Sequence, residues 1–147
     1  MDSGALYIRK ETVDKALATP PVQGKRNLEP FTSLAKQTGL PLQFLEDTAV
    51  SNNAEIHVTE DDLWMCVEGE VTFLCGGTMK DPWFHKRKDG TENKNEIRSN
   101  MLENATTYML NAGDWLWIPA GVPHQHSAKG TARLAIIKIY SRSTARE

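Results

Sequence analysis

Glu55, His57, Asp61, Asp62, His124 and His126 are the side chains whose types and spacing fit metal-ion or proton-transfer chemistry. They fall in two distant stretches, EIHVTEDDLWMCVEG at residues 55–69 and GDWLWIPAGVPHQH at residues 113–126. Glu55 and His57 are two apart, so on an extended strand both leave the same face. In the second stretch Gly113-Asp114 and Pro119-Ala120-Gly121 bracket an apolar run, which reads as turn, short strand and turn. His124 and His126 follow and again share a face. Imidazoles and carboxylates presented in this way from separate strands can meet at one divalent cation. Two imidazoles with a carboxylate suit non-haem Fe(II), the first choice, while Zn, Mn or Ni accept the same donors. Such an ion serves as a redox centre or as a Lewis acid, and the residues fit both.

Parity along the strand assigns further roles. From Asp62 onward, alternation places Trp64 and Cys66 on the same side as Asp62, so if Asp62 points into a cavity these two line it. His57 and Asp62 are an odd number apart, and a regular strand would send them to opposite faces. A turn or bulge at residues 59–61 must therefore intervene, or Asp61 takes the place of Asp62. Glu55 is either a fourth ligand or a base beside the metal. His126 is either an acid or base near the metal or a partly exposed residue at a strand end. Cys66 reads most simply as a small core residue, since nothing in its surroundings would lower its pKa.

With these residues in view the chain resembles the cupin superfamily. The second cupin motif, G-x5-P-x-G-x2-H-x3-N, matches at Gly113, Pro119, Gly121 and His124, with Ala128 in the final position. The first, G-x5-H-x-H-x3,4-E-x6-G, matches at His57 and Gly69, with Ala49 for the opening Gly, Glu55 for the first His and Asp62 for the Glu. The resemblance implies an all-β fold, a small antiparallel β-barrel or sandwich of the jelly-roll type. It also implies one divalent metal held by His57, Asp62 and His124, with Glu55 in a histidine slot, and a homodimer formed through a sheet face.

The elements that must position these residues are short. Helices are expected at residues 11–18 and 32–37, and strands at 40–45, 54–58, 63–67, 71–74, 108–110, 114–118 and 132–140. Residues 1–48 then form a helical N-terminal arm with an edge strand, whose role is to cover a sheet edge. Residues 49–141 form the barrel. Residues 76–107 are rich in Lys, Asn, Asp and Glu and read as a long polar loop or hairpin tip around Asp89-Gly90. The apolar knot Pro82-Trp83-Phe84 at one end makes a lid over the cavity the sharper reading of that loop. The last strand, RLAIIKIY, is apolar on both faces, which requires a second covering surface such as a subunit interface. Residues 142–147 read as a frayed tail.

Composition narrows the function classes. The chain has 147 residues, the size of one domain. Its net charge of −2 provides no field for nucleic acid or an anionic membrane. No apolar run approaches the ~18 residues of a membrane span. Cys66 and Cys75 form no CxxC pair and no secretory leader is evident, so the expectation is a reduced, cytoplasmic protein. GxSxG, GxGxxG and P-loop patterns are missing, which leaves a small-molecule substrate as the expected partner.

Overall fold

The structure, a computed structural model, describes residues 2–141, so the tail expected at 142–147 lies outside the described residues. Two helices and twelve strands follow one another as β1 and β2 interleaved with the helices, then strands alone. They are α1 (Lys10–Leu17), β1 (Gly24–Asn27), α2 (Phe31–Thr38), β2 (Leu42–Ser51), β3 (Ala54–His57), β4 (Glu60–Glu68) and β5 (Glu70–Cys75). After these come β6 (Thr78–Met79), β7 (Trp83–Lys86), β8 (Glu92–Ser99), β9 (Leu102–Glu103), β10 (Thr106–Asn111), β11 (Trp115–Ile118) and β12 (His124–Tyr140).

Ten strands make one antiparallel sheet, in which β1-β2-β12-β3-β8-β7 run in order and β4, β5, β10 and β11 join through β12. The ribbon β6-β9 stands apart. β12 is the seam of the fold. Its first residues, His124–Ser127, pair with β5, and His124 also pairs with Glu55 of β3. Beyond an irregularity between Ala128 and Thr131, the strand continues along β2 on one side and β4 on the other. A strand that keeps new partners on each side of a bulge curls its sheet, and this is how the two sheet halves close into a barrel.

Alternation then fills the interior. Leu45, Trp64, Cys66, Phe73, Leu134 and Ile136 are among the buried side chains of the barrel core. At the hairpin between β4 and β5, Gly69 has a φ of +76°, and a Cβ there would lie 2.1 Å from the Thr131 carbonyl oxygen. Only glycine permits that approach of the hairpin to β12.

A second cluster lies outside the barrel. Ala16 of α1 and Phe31 of α2 are buried with Phe44 of β2 and Ala135 of β12, and the Phe31 and Phe44 rings are 4.6 Å apart. The second apolar face of the final strand is thus covered by the chain's own arm, where a subunit interface had been one expectation. An ionic clasp fixes the arm in place. The fully buried Glu46 accepts from Arg26 Nε at 2.7 Å and from Arg133 Nη2 at 2.8 Å. Arg133 also donates to the carbonyls of Leu17 and Thr19, so the same guanidinium satisfies carbonyls that the end of α1 leaves unpaired. Burial works against the Glu46 charge, but hydrogen bonds from Arg26, the Val22 N–H and Arg133 outweigh it and hold the carboxyl below its ordinary 4.5.

Three expectations about elements are corrected. β2 is an interior strand, paired with β1 and β12, and it runs across the expected boundary at 48/49; the sheet edge on this side is β1. Residues 76–107 are not a long loop. β7 and β8 form a hairpin whose tip is Asp89-Gly90, and β8 pairs along β3 from Ala54↔Ser99 to His57↔Glu96. This polar stretch is therefore a wall of the barrel beside His57 rather than a lid over it. β8 is mostly polar and the Trp83 and Phe84 rings of β7 are exposed, so neither strand carries an alternating apolar pattern.

Candidate metal centre

Cross-strand register assembles the site. On adjacent strands, Arg98 of β8 opposes Glu55 of β3, and Glu55 opposes His124 of β12. Farther along β12, Lys138 opposes Asp62 of β4. The turn Pro119-Ala120-Gly121-Val122 locks the two acidic and histidine-bearing strands together. Its Gly121 N–H donates to the His57 carbonyl at 2.9 Å, and its Ala120 N–H donates to Asp61 Oδ1 at 2.7 Å. Val122 N–H closes the turn on Pro119 O at 3.2 Å, with Gly121 at φ +86° as such a turn requires. β3 ends at His57 and β4 starts at Glu60. The break at Val58-Thr59 supplies the change of face that the odd spacing demanded.

Glu55, His57 and His124 each offer a ligand atom, and these atoms lie within 4.8 Å of one another. His57 Nε2 is 3.4 Å from Glu55 Oε2 and 3.5 Å from Asp62 Oδ2, and His124 Nε2 is 3.4 Å from that same Asp62 oxygen. Ligands about 2.1 Å from a shared ion sit roughly 3 to 4.2 Å apart, so the close pairs are already in range. The wider ones need a shift of under about 1 Å.

Two observations show that the set fits a cation. Asp62 is 1% and His124 2% exposed, yet Asp62 Oδ2 and His124 Nε2 have no hydrogen-bond partner. Buried acceptors without donors are costly, and a cation between them removes the cost. The tautomer agrees, because His124 Nδ1 lies 3.1 Å from the Val122 carbonyl and must carry the proton there, leaving Nε2 with a free lone pair. Burial opposes the charge on Glu55, but contact with His57 and the charge of Lys25 overcome it, so the carboxyl sits far below its usual range. For Asp62 burial is likewise outweighed, by a hydrogen bond from His124 in the state where that ring carries both protons and by the Lys138 ammonium, and its pKa is also lowered. Both carboxylates are anionic at neutral pH, the state in which they bind metal.

The other candidates are placed as follows. Asp61 is held by the Ala120 N–H; neither it nor Asp62 is in the group of three, but Asp62 Oδ2 faces both histidines. Trp64 faces inward with Asp62 and lines a cavity of about 200 Å³ together with Glu55, His57 and Lys138. Cys66 lies on the same side but deeper, in the core, with its thiol directed at the Glu68 and Gly69 carbonyls. His126 is 3% exposed, so it is not at a partly exposed strand end. It packs against Trp64 and Phe73, and its Nδ1 lies 2.5 Å from Asp47 Oδ2. That bond ties it to β2, and it is not among the grouped donors.

Sequence reasoning missed Lys138, Arg98 and Lys25. Lys138 Nζ donates to Asp62 Oδ1 at 2.7 Å and is 3.4 Å from His57 Nε2. Its signal was available, because Leu134, Ile136 and Lys138 share one face of β12 and a charge on a core-facing row calls for a partner. Arg98 Nη2 is 3.1 Å from Glu96 and 3.7 Å from Glu55, and Lys25 Nζ is 4.0 Å from Glu55.

Among solved structures, an oxalate oxidase matches with 18% identity and a TM-score of 0.54 over 95% of this chain and 62% of that one. E. coli ycfD matches with 17% identity and a TM-score of 0.56 over 82% and 34%. The CENP-C cupin domain of Drosophila melanogaster matches with 10% identity and a TM-score of 0.50 over 91% and 85%. The chain thus spans less than two thirds of the length of the oxidase and of ycfD. No family model matches the sequence, and no curated protein matches it. The likeness is one of architecture, and the chain has the cupin fold. No helix among the described residues is long and apolar enough to cross a membrane.

Proposed function

We propose that this protein is a metal-dependent enzyme in which Glu55, His57, Asp62 and His124 hold one divalent cation and a small organic molecule binds beside it. The observation that carries this reading is the pair of buried, partnerless acceptors, Asp62 Oδ2 and His124 Nε2, 3.4 Å apart. Two imidazoles and two carboxylates are hard and borderline donors that suit Fe(II), and Mn, Zn or Ni as well. An Fe(II) ion held there would supply a redox-active centre for dioxygen chemistry, and a dioxygenase is the first form of the proposal. The oxalate oxidase is one enzyme built on this architecture.

The chain's own residues have defined parts. The Val122 carbonyl orients His124, the Pro119–Val122 turn fixes His57 and β4, and Trp64 with Ile136 forms an apolar wall that limits water. A second form, a Lewis-acid isomerase, cyclase or lyase, is favoured by Lys138. Its Nζ lies among the candidate ligands and can hold or move a proton beside a bound substrate. In both forms the protein is cytoplasmic and homodimeric, and the exposed Trp115 and Trp117 of β11 offer an apolar face to the second copy.

Oxygen uptake by Fe(II)-loaded protein over a panel of enols, thiols and catechols tests the first form. Uptake with any member supports it. Bound metal without uptake, joined to turnover in the Zn form, supports the second. A protein that binds no metal, and whose ligand binding is indifferent to chelators, is a metabolite-binding module instead.

A further inference from the structure

Five buried polar side-chain atoms among the described residues have no hydrogen-bond partner, and four of them surround this one region. They divide by chemistry. Asp62 Oδ2 and His124 Nε2 are acceptors and suit a cation. Trp64 Nε1 and Arg98 Nε are N–H donors. Trp64 is 4% exposed, so its N–H has little recourse to water. Trp64 and Arg98 line the same cavity as Lys138 and Lys25.

Charge points the same way. Without metal, three cations (Lys25, Arg98, Lys138) face three acids (Glu55, Asp62, Glu96), and each cation is paired with at least one of them. The region is balanced. A divalent cation held by the oxygens that face the histidines, Glu55 Oε2 and Asp62 Oδ2, adds two positive charges while Oε1 and Oδ1 keep facing Lys25, Arg98 and Lys138. Uncompensated positive charge in a partly enclosed space is unfavourable until an anion arrives. The cavity is about 200 Å³, room for a compact anion. Arg98 offers a planar fork that matches a carboxylate, and Lys138 offers a point charge beside the metal.

From this we propose that the cavity selects a small carboxylic acid in its anionic form, held by Arg98 and Lys138. The assignment rests on the metal-bound reading and deepens it by naming the substrate class. Uptake of the anion is coupled to uptake of the metal, because without the two added positive charges the cations and acids of the region already balance. No bond is made or broken in this step.

The test uses full-length protein loaded with redox-inert Zn²⁺, with zinc content measured alongside, and isothermal titration with malonate and with malonamide, its neutral counterpart of similar size. The expected result is malonate binding at least tenfold tighter than malonamide, weakened at least tenfold when zinc is removed. Arg98→Gln and Lys138→Gln should each weaken malonate at least fivefold while retaining one zinc per chain. Equal binding of acid and amide, or no binding of malonate to a protein that holds its zinc, overturns the anion assignment and leaves the metal reading intact. Malonate binding unchanged in both variants also overturns it. A chain that takes up no zinc overturns both readings together.

Discussion

Lys138 Nζ lies 2.7 Å from Asp62 Oδ1 across directly opposed positions of β12 and β4. The ammonium is tethered inside the group of candidate metal ligands. Without metal it is the cation that neutralises a carboxylate only 1% exposed. A divalent ion held by the other oxygen, Oδ2, would share that carboxylate with the ammonium, and the two positive charges repel. The pairing therefore stabilises the metal-free fold and opposes metal uptake at once.

Lys138→Met separates those two effects. The metal-free variant leaves Asp62 without its cation and should lose about 1–2 kcal/mol, less than a fully buried pair because the Lys138 side chain is 31% exposed. Its zinc affinity should rise several-fold, since a competing charge is gone. Urea unfolding of chelator-treated protein and a competition titration with a zinc indicator measure the two numbers. Weaker zinc binding in the variant would contradict the competition.

The arm depends on the Glu46 clasp. Arg133→Met removes one of two guanidinium partners from a buried carboxylate and also frees the end of α1, for a loss of about 3 kcal/mol in denaturant unfolding. The pH dependence has a definite sign. The folded pKa of Glu46 is below its ordinary 4.5, so its stabilisation is complete above that pH and is lost as pH falls through the lower folded value. Glu46→Gln should be less stable than the parent at pH 7, with the gap narrowing below pH 4.5. A gap that stays constant down to pH 3 counts against the clasp.

Ala49 has a φ of +47° on β2, opposite the irregularity in β12. An alanine in the left-handed region carries roughly 1 kcal/mol of strain, partly offset against glycine's larger unfolded-state entropy. Ala49→Gly should leave the fold unchanged and raise stability by up to about 1 kcal/mol. Thermal melts decide it, and a lower Tm would show that the position is not strained.

Both thiols should be slow. Burial pushes the Cys75 thiol up to about 11 from 9.0, which cuts its thiolate at neutral pH about a hundredfold. Burial and the charges of Asp114 and Glu70 raise Cys66 as well. In native protein the buried Cys66 should react with a disulfide reagent at pH 7 only on the timescale of unfolding, and the partly exposed Cys75 about a hundredfold more slowly than a free thiol. Rapid labelling of Cys66 would show that the barrel opens locally.

Much of the site was legible because it obeys strand parity. Asp62, Trp64 and Cys66 do share a face, and His57 and Asp62 are indeed separated by a break. Glycine and proline marked the turn that holds them. What was hidden depends on register between strands distant in sequence. Nothing local to Lys138 or Arg98 says that one opposes Asp62 and the other Glu55. The hairpin tip at Asp89-Gly90 was legible, but the reach of β7 and β8 was hidden for another reason, since these strands bury little and so carry no apolar alternation. The covering of β12 by α1 and α2 was ambiguous because an apolar face asks for a partner without saying whether that partner is the same chain.

Metal stoichiometry after chelation, reloading and desalting, compared between the parent and His124→Ala at equal foldedness by circular dichroism, tests the core of this account. One tightly held divalent ion per parent chain, and loss of at least nine tenths of it in the variant, is the expected result. A parent that retains no ion, or a variant that retains as much as the parent, would contradict it.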